Sequence, residues 1–372
     1  MTGKSDHVAD RATTRWTLPA GGAGAIGSAH GLPLIGADDV CAIGDGLVYW
    51  DAWPLLTEDG GLYTAPGGNR LWFALAAPRT DDPDARHAQA RIHLLAELGG
   101  RFAPLGPALP DDWSPGSREW SGSAVINPAS RQVTLAFTAA GRRGEQATTF
   151  EQRMFRTTGE LNGARVDHWS APEELVRADD DHYQRVVQAT GEIGKIKAFR
   201  DPDLFRDPAD GQRWIVFTAS SARQPGDYDG VIGAAIEGAS GETLILPPLI
   251  DGSGTNNELE RPHVRLFDGI YYLFWSTQSH VFAPANGEWP TGLYGAVAES
   301  MAGPWQLLNG SGLVAANPPE APAQAYSWLV LPDGMVTSFV DRWGKTADRN
   351  FGGTFAPFVA LALDGKCATL RR

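Results

Sequence analysis

Residues 267–276 read F-D-G-I-Y-Y-L-F-W-S. An Asp-Gly pair stands directly before a short run of aromatic and branched residues. Asp-Gly suits the positive φ angles of the tight turn between two twisted strands, and the run after it suits a pleated, half-buried surface. The pattern recurs. Ala-Asp-Gly precedes the run Q-R-W-I-V-F-T-A (212–219), and Pro-Asp-Gly leads into G-M-V-T-S-F-V-D (334–341). N-R-L-W-F-A-L-A-A (69–77) and R-Q-V-T-L-A-F-T-A-A (131–140) are runs of the same kind. Long apolar stripes at helical spacing are scarce. The pattern predicts an all-β chain of short strands, tight turns and some long functional loops. One short helix is predicted over A-P-E-E-L-V-R-A (171–178), with Ser170 as its N-cap. No exact internal repeat is visible, but four-stranded blades can diverge until only the hairpin rhythm remains, so a propeller or a large sandwich is expected. Residues 1–30 read as a loosely structured lead-in and 31–372 as a single domain.

The 372 residues, 42% of them hydrophobic, are enough to bury a large core. A formal net charge of −13 repels phosphate backbones and anionic lipid, so no nucleic acid and no membrane surface is expected as a partner. A neutral or cationic small molecule fits better. No run of about 18 apolar residues occurs, and the opening M-T-G-K-S-D-H-V-A-D-R lacks the apolar core of a secretory signal. Cys41 and Cys367 are the only cysteines, and no C-x-x-C or H-x-x-x-H spacing suggests zinc. If the fold closes on itself the two could pair; otherwise two buried free thiols are expected.

Three acidic stretches stand apart from the solvated acids: Trp50-Asp51-Ala52-Trp53-Pro54, Phe199-Arg200-Asp201-Pro202, and Asn257-Glu258-Leu259-Glu260-Arg261-Pro262-His263. Each precedes or begins an apolar, strand-like run. A lone carboxylate among tryptophans is costly unless it is paired or working. In a propeller the inner strand of every blade lines a central cavity, so these acids could converge. Glycoside cleavage needs such a set: one carboxylate attacks the anomeric carbon and a second, protonated one delivers a proton to the leaving oxygen. Bland readings stay open beside this one. Asp51 could cap a turn. Glu258 and Glu260 could share a solvated strand face. Arg206-Asp207-Pro208, the second Arg-Asp-Pro of the chain, reads as a turn or edge ion pair.

Together, V-Y-W-D-A-W-P-L-L (48–56), E-W-S-G-S-A (119–124), F-R-D-P (199–202) and N-E-L-E-R-P-H-V (257–264) resemble glycoside hydrolase family 68, which holds levansucrases, inulosucrases and related β-fructofuranosidases. Y-Y-L-F-W-S-T-Q, G-L-Y-G-A-V-A-E-S, L-N-G-S-G-L-V, Y-S-W-L-V-L-P-D-G and F-G-G-T-F-A-P extend the likeness, which runs from about Gly46 to Leu363. The resemblance implies a five-bladed β-propeller with a central funnel-shaped pocket, and sucrose as donor with water or sugar acceptors. It implies Asp51 as nucleophile, Glu260 as general acid/base and Asp201 as transition-state stabiliser. Trp50 and Trp120 would wall the fructosyl subsite, and Ser121 would hydrogen-bond Asp51. Arg200, Glu258 and Arg261 would hold the glucosyl half, and Tyr326 would set the acid/base environment. Arg261 neighbours Glu260 in sequence, so it reaches the same pocket only if the strand bends near Pro262.

Some positions depart from the family pattern. Eighteen residues after Glu260, where many members carry Arg or His, stands Gln278, with His280 two residues on. This favours sucrose hydrolysis and short transfer products over long levan; a levansucrase making β-2,6 polymer is the alternative, and a silent sugar-binding propeller a distant one. Trp328 replaces the His that often follows Tyr-Ser, and reads either as an acceptor platform or as a packed blade residue. Asn257 stands where calcium-binding members have an aspartate, so no metal or other cofactor is expected, with the two cysteines a candidate substitute staple. By resemblance an extracellular or periplasmic location is expected without a visible signal peptide; a cytoplasmic one stays open.

Overall fold

The Asp268–Gly269 pair makes the turn its composition predicts. Both residues have positive φ, 51° and 80°, and Phe267 pairs with Ile270 across them. The computed structural model describes residues 12–19, 22, 30–44, 46–188, 195–343 and 350–371. Helical structure among these is confined to short 3-10 turns.

After β1 (Thr14–Arg15), the strands fall into five antiparallel blades. The first is β2 (Leu47–Thr57), β3 (Arg70–Pro78), β4 (Arg91–Leu98) and β5 (Arg101–Pro107). The second is β6 (Arg118–Asn127), β7 (Gln132–Ala140) and β8 (Gln152–Asn162), edged by β9 (Arg165–Asp167) and β10 (Glu173–Val176). The third is β11 (Phe199–Arg206), β12 (Arg213–Ser220), β13 (Gly230–Glu237) and β14 (Thr243–Asp251). The fourth is β15 (Glu260–Phe267), β16 (Ile270–Thr277) and β17 (Gly292–Ala298), edged by β18 (Gln306–Leu307) and β19 (Leu313–Ala316). The fifth is β20 (Ala325–Val330), β21 (Met335–Val340), β22 (Val359–Asp364) and β23 (Cys367–Leu370). The innermost strands, β2, β6, β11, β15 and β20, all start at one end of the central axis.

Each of these five strands breaks register with its neighbour at the same place: at Trp50/Trp53, Trp120/Gly122, Arg200/Asp203, Glu260/His263 and Tyr326/Leu329. In four of them the residue at the break has a positive φ: Asp51 at 47°, Asp201 at 58°, Arg261 at 49° and Ser327 at 60°. Such bulges bend a strand and re-aim its side chains. They also free a backbone N–H, which must find a partner when buried. A hydroxyl from the preceding blade supplies it. Thr138 accepts from the Asp201 N–H at 2.9 Å, Thr218 from the Arg261 N–H at 3.1 Å, and Ser276 from the Trp328 N–H at 2.9 Å. A second tier lies deeper. Ser123 accepts from the Leu204 N–H at 3.0 Å, Asp203 from the Val264 N–H at 3.4 Å, and His263 Nε2 from the Val330 N–H at 2.9 Å. Blades one and two meet differently, through parallel pairing of Leu55–Thr57 with Ala124–Ile126.

Three sequence expectations need correction. The helix expected over 171–178 is absent; Glu173–Val176 forms β10, paired antiparallel to β8, with Leu175 and Val176 buried. So short an apolar pattern does not separate helix from strand, and the open edge of β8 decides in favour of a strand. The Ser170 hydroxyl caps no helix and accepts from the Thr158 N–H at 3.0 Å. Part of the 1–30 lead-in belongs to the propeller: β1 pairs parallel with β14, and Trp16 is fully buried, its ring 5.2 Å from Trp275 and its Nε1 donating to the Ser311 carbonyl. Most of that segment lies outside the described residues. Cys41 and Cys367 are free thiols and both are exposed rather than buried.

Thr218 tests the clamps. Thr218→Val keeps the shape but leaves the buried Arg261 N–H only the longer bond to Asp201, at 3.4 Å, and takes a donor from that carboxyl, so it should cost about 1–3 kcal/mol, read as a lower urea midpoint at unchanged slope.

Candidate active site

The five bulges have a common result. Two consecutive residues of every inner strand face one cavity of about 310 Å³: Trp50 and Asp51, Trp120 and Ser121, Arg200 and Asp201, Glu260 and Arg261, Tyr326 and Ser327. An unbroken strand would send one of each pair away. A second cavity, of about 510 Å³, opens at the other ends of these strands; it is laced by ion pairs of Arg213 with Glu58 and Glu237, and none of the three expected catalytic acids reaches it.

The carboxylates in the first cavity have distinct surroundings. Asp51 accepts from the Ser121 hydroxyl at 2.7 Å, and Trp50 beside it is buried. Asp201 is buried, accepts from Thr218 at 3.2 Å and lies 3.6 Å from Arg200 Nε. Glu260 is partly open; it accepts from Arg200 Nη2 at 2.7 Å and from the Tyr326 hydroxyl. Arg200 also lies 3.5 Å from Glu258, so one guanidinium sits among three carboxylates. Its Nη1 is buried with no hydrogen-bond partner. Arg261 donates to the Ser327 hydroxyl at 2.7 Å and to the Ala52 carbonyl at 2.8 Å, tying blade four to blades five and one.

Burial pushes the Asp201 carboxyl up to about 7, with Arg200 opposing and Glu260 and Asp51 adding to the rise. Burial and then Glu260 likewise raise Glu258, against Arg200. Burial works against the Arg200 charge, but the surrounding acids, Glu260 first, raise its pKa further. Burial and the nearby Glu260 hold the Tyr326 phenol well above its usual value, so it donates to Glu260 as a neutral hydroxyl.

All twelve residues expected at the site line this cavity, including Gln278 and His280. Arg261 does so as the bulge residue itself, so the bend lies one residue before Pro262. Glu258 and Glu260 share no strand face: β15 begins at Glu260, and Glu258 comes in from the preceding loop, its N–H donating to Asn256 Oδ1 at 2.7 Å. Arg206 pairs with Glu58, not with Asp207, which accepts from the Ala209 N–H at 2.9 Å and the Tyr271 hydroxyl at 2.7 Å. Trp328 is a packed blade residue, buried edge-on to Tyr326 and away from the cavity. The sequence reading missed Arg86, whose guanidinium covers the Phe351 ring at 4.0 Å, and Asp341 and Arg342 at the rim. It also missed Thr138 and Thr218, although both lie in a repeated F-T-A, residues 137–139 and 217–219.

Asp201 carries a stability cost whose sign follows from its titration. Its folded carboxyl titrates near 7 against the ordinary 3.8, so between these pH values the folded chain keeps a proton that the unfolded chain has lost. Stability therefore falls as pH rises through that window. Asp201→Asn removes the penalty, and thermal unfolding should show a Tm above the parent at pH 7.5, with the gain vanishing near pH 4.

A sequence profile of glycoside hydrolase family 68, described as levansucrase/invertase, matches residues 8–235 and 228–371. The levansucrase of Rahnella aquatilis is 34% identical over 385 residues, covering 91% of this chain and 89% of that protein. The levansucrase Lscbeta of Pseudomonas syringae pv. actinidiae is 33% identical, covering 90% of this chain and 84% of its own. Among solved structures, the inulosucrase of Halalkalicoccus jeotgali bound to kestose superposes with a TM-score of 0.85 at 33% identity, covering 96% of this chain and 95% of that one. The chain is a five-bladed β-propeller that belongs to glycoside hydrolase family 68.

Proposed function

We propose that this fructosyltransferase acts on sucrose by a retaining, two-step mechanism and passes the fructosyl group to water and small sugars more than to long levan. Action on sucrose follows from family membership and the levansucrase relatives. The observation that carries the mechanism is the different setting of two acids on one cavity: Asp51, held by Ser121, and Glu260, held by Arg200 and a neutral Tyr326.

In the first step an Asp51 oxygen bonds to the fructosyl anomeric carbon as the bond to the glucosyl oxygen breaks. Glu260 gives that oxygen its proton, and glucose leaves. In the second step the Glu260 carboxylate takes a proton from water or a sugar hydroxyl, whose oxygen attacks the same carbon and releases Asp51. Asp201 accepts hydrogen bonds from fructosyl hydroxyls, which strengthen as positive charge develops on the ring. Trp50 and Trp120 wall that subsite. Arg200, Glu258 and Arg261, which line the cavity, hold the glucosyl unit. Replacement of Asp51 by Asn should lower turnover of sucrose by about 10⁴-fold or more without loss of fold, checked by glucose release and circular dichroism.

The short-product reading rests on Gln278, a neutral amide at the cavity where a cationic side chain would grip an acceptor. Polymer synthesis is the second reading, favoured by the levansucrase relatives. Free glucose and fructose followed separately over time decide between them. Near-equal release, or an excess of glucose with only short oligosaccharides, supports the first; a large glucose excess with high polymer supports the second. Gln278→Arg should shift products toward greater length, measured by sizing them at equal sucrose conversion.

A further inference from the structure

The loop that carries Asn257 poses a cation question that the protein answers with its own side chain. Asn257 stands where calcium-binding members of the family have an aspartate. The oxygens that converge there are Asp229 Oδ1, Asn257 Oδ1 and the Gly226 carbonyl, and all three accept from Lys197 Nζ, the first two at 2.8 and 3.0 Å. A divalent ion would have to share these oxygens with an ammonium group, so the residues do not fit calcium. Among the described residues no three acids, histidines or cysteines are grouped as metal ligands would be.

We propose that the Lys197 ammonium is a built-in structural cation that joins three loops and so positions Arg200 and Glu258 in the active-site cavity. Asp229 is wholly buried, and its second oxygen accepts from Gln184 Nε2 at 2.8 Å and the Gly226 N–H at 2.9 Å. A carboxylate so placed needs a counter-charge, and Lys197 provides it. Asn257 is equally buried and completes the link: its Nδ2 donates to the Ile196 carbonyl at 3.3 Å, so the amide binds both Lys197 and the residue before it. Lys197 lies three residues before Arg200 on one approach to the cavity. Asn257 lies next to Glu258 on another. The Asp229 loop backs both, with the Gly230 N–H donating to the Asn256 carbonyl at 2.9 Å. Arg200 and Glu258 face each other across 3.5 Å at the end of this tie. Lys197 is a positioning residue, since it does not line the cavity.

The effect on catalysis rests on the sucrose reading; the tie itself does not, and one experiment separates them. Lys197→Met leaves a buried, uncompensated carboxylate. The expected result is a lower Tm and a KM for sucrose raised about tenfold, with kcat changed less, because ground-state placement of the glucosyl unit suffers first. In Lys197→Ala, which vacates the side-chain space that methionine would still fill, methylammonium chloride should restore part of both, while equal sodium chloride should not, because the added cation can occupy the vacated position. The double variant Lys197→Met with Asp229→Asn removes both buried charges; it should recover Tm yet keep the raised KM, and it serves if the single variant does not fold. Wild-type KM in both Lys197→Met variants, or a lowered Tm of Lys197→Ala that methylammonium leaves unmoved, overturns the proposal. If the parent protein releases no glucose from sucrose, the functional reading fails, and the Tm response to methylammonium still reports on the tie.

Discussion

A left-handed residue in the middle of a β-strand is costly for anything but glycine, by roughly 1–2 kcal/mol. Here it occurs at the same level of four inner strands, at Asp51, Asp201, Arg261 and Ser327, and a register break marks that level in the fifth, at Ser121. The bulge turns two neighbouring side chains toward one cavity and so doubles what each blade offers to a ligand. The remaining features of the cavity answer to that constraint. Hydroxyls of Thr138, Thr218 and Ser276 satisfy the amides that the bulges release, and they come from the neighbouring blade. The seam between blades and the shape of the site are therefore one structure.

The electrostatics have the same divided character. Asp201 and Glu258 are held in a setting that opposes their charge, while Arg200 is held in one that favours it. A stable core would not choose this arrangement. It suits a site where charge must appear and vanish on the reacting atoms. A sugar-binding propeller without chemistry would have no use for a Ser121-held acid and a Tyr326-held acid facing the same cavity. Tyr326 and Arg200 converge on Glu260 from blades five and three, so the acid is oriented by parts of the chain distant in sequence.

The second-tier clamps show how such a site is kept rigid. His263 gives its Nδ1 proton to the Arg261 carbonyl at 2.9 Å and accepts from Val330 through Nε2, a pairing open to the neutral ring that burial enforces. Asp203, raised by burial to about 6, lies 3.7 Å from Arg265 beneath the cavity. Trp16 closes the rear of blades three and four with an indole packed edge-on to Trp275, Phe282 and Tyr294. A precise pocket needs this support, because loops alone would leave the acids loosely placed.

Local physics made much of this legible in the sequence. Turn chemistry at Asp268–Gly269 acts over four residues, and alternation acts along one strand, so all-β character could be read directly. Motifs such as W-D-A-W and E-L-E-R carried the acids: a lone carboxylate among tryptophans is conspicuous in any fold, and E-L-E-R stood out at the head of a strand-like run, in order with the other motifs. Beyond the chain's own neighbourhood the sequence was silent. It could not show that Glu173–Val176 would be claimed by the edge of β8, that Trp16 would cross to another blade, or that Lys197 would meet Asp229 and Asn257. Nor could it place the bulge one residue before Pro262, since a bulge is defined by the partner strand it slips against. Each of these depends on a contact between segments that only closure of the propeller brings together. The residue types, and with them the class of chemistry, were set by sequence; which donor faces which acid was decided by tertiary structure.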